Sequence, residues 1–452
     1  MKNRRLRRRV SLFELINPNT RTCPVFRSIA DAELAKKIYH KAGVFVKENP
    51  NKDDPDMGNP WGVSFQQMYN MSSASNLFIK QGNVECDNCQ ILPLYEGKFI
   101  NQLDHRWATY QDVPLKTYKE EPRDILNEEK TSTSFSIKPR FYVPYEETIL
   151  RLTRLDKSVV SSYRKAKDGD TIASDRLRDS LLEIGAGEIS EDLRNAYYSI
   201  ANSTNLVPDT FNLALHMCPK YLMGWRDVTN SMNARTQIVS VFPMTGVGDT
   251  LPLIHFKTSI DSALKACFLG NMNTLVMDFI AKLKIGGVHM KQFSMKQLSV
   301  LHPSTYTEQA LDFIVPRVFA LTYTATDIVE WARALWNDAS VDLRKHILAQ
   351  HKDLPTGTDI ETLAANNFDP ASIPPIVFED THRANLRAEL DAYFARLYGL
   401  SRRDLEYILD PKAVMGDDYP SETFRVLKDA ELSTYGEYRT GRLVLDAWDR
   451  MD

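Results

Sequence analysis

"LLEIGAGEIS" spans residues 181–190, and its reading decides between two folds. An apolar run, an acid and then Gly185-Ala186-Gly187 outline a turn that binds a nucleotide-like cofactor such as S-adenosylmethionine. Such a turn joins a buried strand to a helix and offers its backbone N–H groups to the ligand. The strand is the missing part. Upstream, ASDRLRDSLLEI (173–184) sets Leu177, Leu181, Leu182 and Ile184 among Arg, Asp and Ser at helical spacing. Ile189 stands where a third small residue belongs, and Ser190-Glu191-Asp192 has the form of a helix start. The stretch therefore predicts a helix, a C-cap at the glycines and a new helix over SEDLRNAYYSI.

Working outward, 452 residues suffice for a substantial core in two or three domains. A hydrophobic share of 43% and a charged share of 25% suit a soluble globular protein. No apolar run is long enough to span a bilayer, so no membrane partner is expected. The start, MKNRRLRRRV, has no apolar segment behind its charges and is not a secretory signal. Cys23, Cys86, Cys89, Cys218 and Cys267 form an odd, scattered set, which points to a reducing cytoplasm. A net charge of −3 excludes a globally basic nucleic-acid binder. Lys2, Arg4, Arg5, Arg7, Arg8 and Arg9 either contact phosphate or coat a solvated terminus, whereas 353–435 is rich in acids.

The pattern predicts an α+β fold: a mixed α/β N-terminal part, a middle region of helices and short strands, and a mostly helical C-terminal region. Residues 30–48 open with helical spacing and close on a strand-like GVFV, and 49–60 is turn chemistry. Strands with helical inserts are expected over 61–112, a linker over 113–145 and helices over 145–218. TQIVSVFP (236–243) and TLPLIHF (250–256) read as strands and 260–283 as one helix. Ser294 is the expected N-cap of a short helix, and Pro303 the close of a short strand. Beyond 308 helices dominate. The helix at 380–398 should stop at Gly399 and the next should start from Ser401. No internal repeat is present.

Several stretches imitate catalytic motifs. Pro55-Asp56 with Glu96-Gly97-Lys98 has the composition of a Mg²⁺-dependent nuclease, but its separation is long and its Asp lies in a loop. Cys86-Asp-Asn-Cys89 lacks two further zinc ligands at matched spacing, with His105 the nearest candidate, and reads as a free thiol pair. His105 and His289 have no evident nucleophile partner. An adenine-N6 methyltransferase needs an Asn/Asp/Ser-Pro-Pro-Tyr/Phe tetrapeptide to hold and stack the flipped base. The sole Pro-Pro pair, in Ser372-Ile373-Pro374-Pro375-Ile376, lacks both the polar residue and the aromatic. No catalytic, metal-binding or cofactor-binding residue is assigned.

Five stretches carry a specific resemblance: LINPNTRTCPVFRS (15–28), LPLYEGKFINQLDHRWATY (92–110), MGWRDVTNSMNARTQIVSVFP (223–243), AKLKIGGVHMKQFSMKQLSVLHP (281–303) and YGEYRTGRLVLDAWDRM (435–451). Together, and in this order, they resemble the Eco57I-type restriction-modification methylases, long adenine-specific N6 DNA methyltransferases. In that family these stretches lie downstream of the catalytic domain. The resemblance implies that 1–125 is a remnant adjoining a methyltransferase domain, 126–303 a target-recognition domain and 304–452 a helical spacer or clamp. It also implies that Asn17-Pro-Asn19-Thr-Arg21 helps seat the catalytic domain or the DNA backbone.

The residues themselves suit DNA at two places. Arg226, Asn230, Asn233, Arg235 and Thr236 cluster before a strand, and Arg and Asn are the side chains that read guanine and adenine edges. Lys284, Gly286, Gly287, His289, Lys291 and Gln292 combine cations for phosphate with glycines that permit close backbone approach. That loop, with a short helix and a Pro-ended strand after it, resembles the end of a type I target-recognition domain. The expected function is DNA sequence recognition for an adenine-N6 methyltransferase of a restriction-modification or phage-defence system. The partners are double-stranded DNA and a catalytic domain or subunit supplied in trans. S-adenosylmethionine would belong to the whole assembly. Two alternatives stay open: a scaffold that binds the methylase subunit without DNA, and a methyltransferase with divergent motifs.

Overall fold

The computed structural model describes residues 14–22, 26–48, 50, 58–81, 90–115, 120–419 and 423–451. The runs TQIVSVFP and TLPLIHF, read as strands, each supply a strand to the same sheet. The strands are β1 (Ser64–Gln66), β2 (Ile79–Lys80), β3 (Ile91–Tyr95), β4 (Ala108–Thr109), β5 (Arg123–Asp124), β6 (Phe141–Pro144), β7 (Tyr221–Trp225), β8 (Val239–Pro243), β9 (Gly246–Val247) and β10 (Leu253–His255). One sheet has the order β1-β10-β7-β8, a second β2-β6-β3-β9, and β4 pairs with β5. The central pair β7–β8 is antiparallel, from Tyr221 opposite Pro243 to Trp225 opposite Val239. Met223, Trp225, Val239 and Val241 face one core, while Leu222, Phe242 and Leu253 face another. Burial on both faces explains why these strands read as nearly unbroken apolar runs. Past Met244-Thr245 the chain enters β9, which lies parallel to β3 and so joins the two sheets.

The second core is completed by five helices between β6 and β7: Tyr145–Leu152, Lys157–Lys167, Thr171–Gly185, Glu191–Ala201 and Leu206–His216. The decapeptide 181–190 is a helix end followed by a helix start. Ser190 accepts from the Leu193 N–H at 3.4 Å. The glycines do not serve as a left-handed C-cap, however. Ala186 takes that place at φ −78°, ψ −11°. Gly185 is small for another reason: a Cβ there would lie 3.2 Å from the Tyr198 ring and 3.4 Å from Tyr197 Cβ. Arg194 of the next helix donates to Gly185 O at 3.2 Å and Gly187 O at 3.3 Å. The turn thus turns its carbonyls to a guanidinium.

The first core gathers the helices Ile29–Ala42, Ser262–Met272, Leu275–Lys284, Glu308–Thr322, Val329–Asp338, Asp380–Leu397, Arg402–Leu409 and Arg439–Arg450. It draws residues from Ile16 to Trp448, and the second core from Met68 to Leu253, so each spans 125/126. Helix Asp380–Leu397 stops ahead of Gly399, at φ +69°, and Ser401 with Asp404 forms a capping box for the next. Among the described residues no helix is long and apolar enough to cross a membrane.

Five local expectations are corrected. The single helix over 260–283 is two, broken at Asn273-Thr274. Asn273 leaves the helix to clamp the edge of β8, donating to Val239 O and accepting from Val239 N, both at 3.0 Å. Residues 120–145 are packed structure: Arg106 donates to Ser132 O, Phe135 O and Lys130 O at 2.7, 3.1 and 3.1 Å, and Ile125 and Ile137 are buried. GVFV forms no strand; Phe45 N and Val46 N bond instead to Leu298 O and Lys296 O, at 2.7 and 2.9 Å. Lys291, and not Ser294, is the N-cap of helix Gln292–Lys296, and Pro303 opens a 3-10 turn capped by His302 where a strand was expected to end.

Candidate nucleic-acid interface

After β7 the chain loops from Arg226 to Gln237 before returning as β8, and helix Leu275–Lys284 holds this loop from below. Asp278 Oδ1 accepts from Thr236 N at 2.8 Å and Gln237 N at 2.6 Å. Lys282 donates to Ser231 O at 3.1 Å and Asn233 O at 2.6 Å. Beyond that helix the chain passes Gly286-Gly287 and doubles back along the same loop. Thr229 N donates to Val288 O at 3.1 Å and Met290 N to Asp227 O at 2.7 Å, while Val228 faces His289 in an antiparallel bridge. Trp225 Nε1 donates to Met290 O at 2.7 Å. Two segments some 60 residues apart in sequence therefore form one ridge.

At the heart of the ridge sits Asp227, which the sequence did not single out. Its side chain is 3% exposed, and Oδ2 lies 2.8 Å from both His289 Nδ1 and Lys291 Nζ. Oδ1 has no partner. A lone acid in a run of Arg, Asn and Thr was the available signal. His289 and Lys291 keep 44% and 43% of their side chains in solvent, so Asp227 aligns them without burying them. Around them stand exposed apolar side chains: Val228, Met232, Val288 and Phe293, the last 63% exposed. These four are large apolar side chains left in solvent on the two segments that form the ridge.

A cleft flanks the ridge on each side. One, of 380 Å³, is lined by Arg27, Ser231, Asn233, Lys282, Gly286 and Arg425. The other, of 440 Å³, is lined by Gln67, Asp227, Lys291, Gln292, Phe293 and Lys296. Gly286 and Gly287 are open, with nothing within 4 Å of a built Cβ. Asn230 and Asn233 are half-buried at the loop tip; Asn230 Oδ1 accepts from Met232 N at 2.8 Å, and Asn233 Nδ2 donates to Thr229 Oγ1 at 3.3 Å.

The other predicted side chains serve the interior. Arg226 donates to Gly97 O at 2.9 Å and to Ile100 O, and burial pushes its guanidinium down to about 10. Thr236 is buried, donating to Asn230 O at 2.8 Å. Lys284 donates to Ile16 O at 2.6 Å and to Asn17 Oδ1, with its ammonium 4.9 Å above the Tyr39 ring. Burial lowers that ammonium to about 7. Arg235 turns away from the ridge, donating to Gln102 Oε1 at 2.7 Å and Asn273 O at 3.3 Å.

Asn17 and Asn19 act as a clip on this chain: Asn17 donates to Thr22 O at 2.9 Å and Asn19 to Val46 O at 2.8 Å. Buried His105 bonds Asp327 Oδ1 at 2.8 Å. Lys98 pairs with Glu121, while Asp56, Cys23, Cys86, Cys89 and the N-terminal arginines lie outside the described residues. Cys218 and Cys267 are free and buried. Among the described residues no group of three His, Cys, Asp or Glu is placed to hold a metal. Comparison with protein-family models, curated proteins and solved structures finds no match.

Proposed function

We propose that the chain is a duplex-DNA recognition module, working for an adenine-N6 methyltransferase whose catalytic part lies outside the residues of this sequence. The observation that supports it is the union of 227–233 with 286–293 in one rigid ridge that presents Lys291, His289, Asn230 and Asn233 between two clefts. Cations contact phosphate, the asparagines meet base edges, and Phe293 or Met232 lies against a base step. The methyltransferase assignment rests on the family resemblance of the five stretches alone.

The exposed apolar side chains also favour a second reading, in which the ridge docks a protein subunit. Fluorescence anisotropy with a mixed-sequence duplex separates the two. Recognition requires binding at low salt that weakens log-linearly as salt rises, and at least a fivefold loss in Lys291→Gln or Phe293→Ala. Absence of binding at low salt, with co-purification of a catalytic subunit, supports docking instead.

A further inference from the structure

Away from the ridge a cavity of 640 Å³ opens between the loop 101–107, helix Asp380–Leu397 and the C-terminal helices Arg425–Tyr435 and Arg439–Arg450. Its floor is built from two guanidiniums and one amide. Arg235 Nε and Arg387 Nη2 both donate to Gln102 Oε1, at 2.7 and 2.9 Å. Two cations thus share a single neutral acceptor. The Arg235 side chain is 9% exposed, and its Nη1 is buried with no partner. That nitrogen is sealed from the cavity, so Arg235 gives the floor its positive charge rather than a free donor.

The acids around the cavity do not balance that charge. Asp104 is taken by Lys130 at 3.3 Å and the Arg106 N–H at 2.9 Å. Asp380 pairs with Arg439 at 2.7 Å. Glu431 binds Thr440, accepting from its N–H at 2.7 Å and its hydroxyl at 2.5 Å. Only Asp391 remains, 3.9 Å from Arg235, with Oδ1 already accepting the Leu275 N–H at 2.6 Å. Burial raises the Asp391 carboxyl against the pull of Arg235, and burial followed by repulsion from Arg235 lowers Arg387 to about 10. The floor holds more positive charge than its own acids balance.

We infer that this cavity binds a phosphomonoester of mononucleotide size, its phosphate held by Arg387 in the field of Arg235. Arg235 has Nε on Gln102 and Nη2 on Asn273 O, so Arg387, with only Nη2 engaged, supplies the donors that match phosphate oxygens while Arg235 adds charge behind it. The volume exceeds what an inorganic ion fills and lies in the range of small-molecule sites, roughly 300–1,000 Å³. Tyr435, 48% exposed and lining the cavity beneath the Arg439 guanidinium, supplies an aromatic face for the organic part. The site stands apart from the ridge and does not depend on DNA recognition there.

Calorimetric titration of the full chain with deoxyadenosine 5′-monophosphate, inorganic phosphate and a duplex with or without 5′-phosphates tests the inference. The mononucleotide should bind at least tenfold more tightly than inorganic phosphate, and Arg387→Gln should weaken it at least tenfold. Ala384→Phe, which fills the cavity and keeps both arginines, should abolish binding without lowering the melting temperature. A 5′-phosphorylated duplex that binds in an Arg387-dependent way, where the unphosphorylated one does not, supports the site with a DNA end as its source. No heat from any phosphate at millimolar concentration overturns the proposal. So does mononucleotide binding unchanged in both variants, or inorganic phosphate binding as tightly as the mononucleotide.

Discussion

Lys284 makes a sharp test of the fold beneath the ridge, because the sequence places it at a DNA surface and the structure places it inside. Its ammonium holds Ile16 O and Asn17 Oδ1, and burial lowers it to about 7 when folded, against an ordinary value of 10.5. Between these values the unfolded chain keeps the proton and the folded chain releases it, so stability rises with pH. Below pH 7 both states are protonated and the cost of burying the charge is fully present. Above 10.5 neither is, and the cost is gone. Each pH unit within the window changes stability by about 1.36 kcal/mol. The ceiling over the window is on the order of 5 kcal/mol, and about half of that is realistic for a partly solvated group. Lys284→Met removes the titration and leaves two carbonyl oxygens without their donor, at a pH-independent cost of about 1–2 kcal/mol. Urea unfolding of both proteins between pH 7 and 10 should therefore diverge, with the wild type gaining on the variant as pH rises. Parallel stability curves would refute the buried placement of Lys284.

Other substitutions probe the joints of the fold. Asn273→Ala strips the Val239 N–H and C=O of their partners and should lower the unfolding free energy by about 2–4 kcal/mol; a loss below 0.5 kcal/mol in chemical denaturation would contradict the edge-clamp role. Gly185→Leu drives a side chain into Tyr197 and Tyr198 and should cost about 1–3 kcal/mol, whereas Gly187→Ala, whose nearest neighbour is Ile184 O at 3.2 Å, should cost less. Equal melting-temperature shifts would show that close helix approach does not explain Gly185. Calorimetry with S-adenosylmethionine should show no stoichiometric binding to this chain, since the turn at 185–187 follows a helix and not a strand; saturable heat would restore the cofactor reading.

What the sequence revealed follows from how local each cause is. Leu177 and Leu181 share a helix face, and Gly399 with Ser401 punctuates two helices, within a few residues of one another. β8 and β10 were legible because strands covered on both faces are mostly apolar, with only Ser240 and His255 interrupting. The break at Asn273 was hidden, since apolar spacing continues across 260–283 and the demand for an amide comes from Val239, 34 residues away. Lys284, Arg226 and Arg235 look like surface cations in any window of ten residues; only the tertiary path of Ile16, Gly97 and Gln102 supplies their acceptors. Asp227 was overlooked for the converse reason, as its partners His289 and Lys291 lie 62 and 64 residues downstream.

Hydrogen exchange of the full chain, with and without a saturating duplex at low salt, tests the central claim most directly. The account predicts that peptides covering 227–233 and 286–293 slow together on DNA binding, while those covering helix Thr171–Gly185 in the second core do not change. Protection confined to other regions, with both ridge segments exchanging as in the free protein, would contradict it.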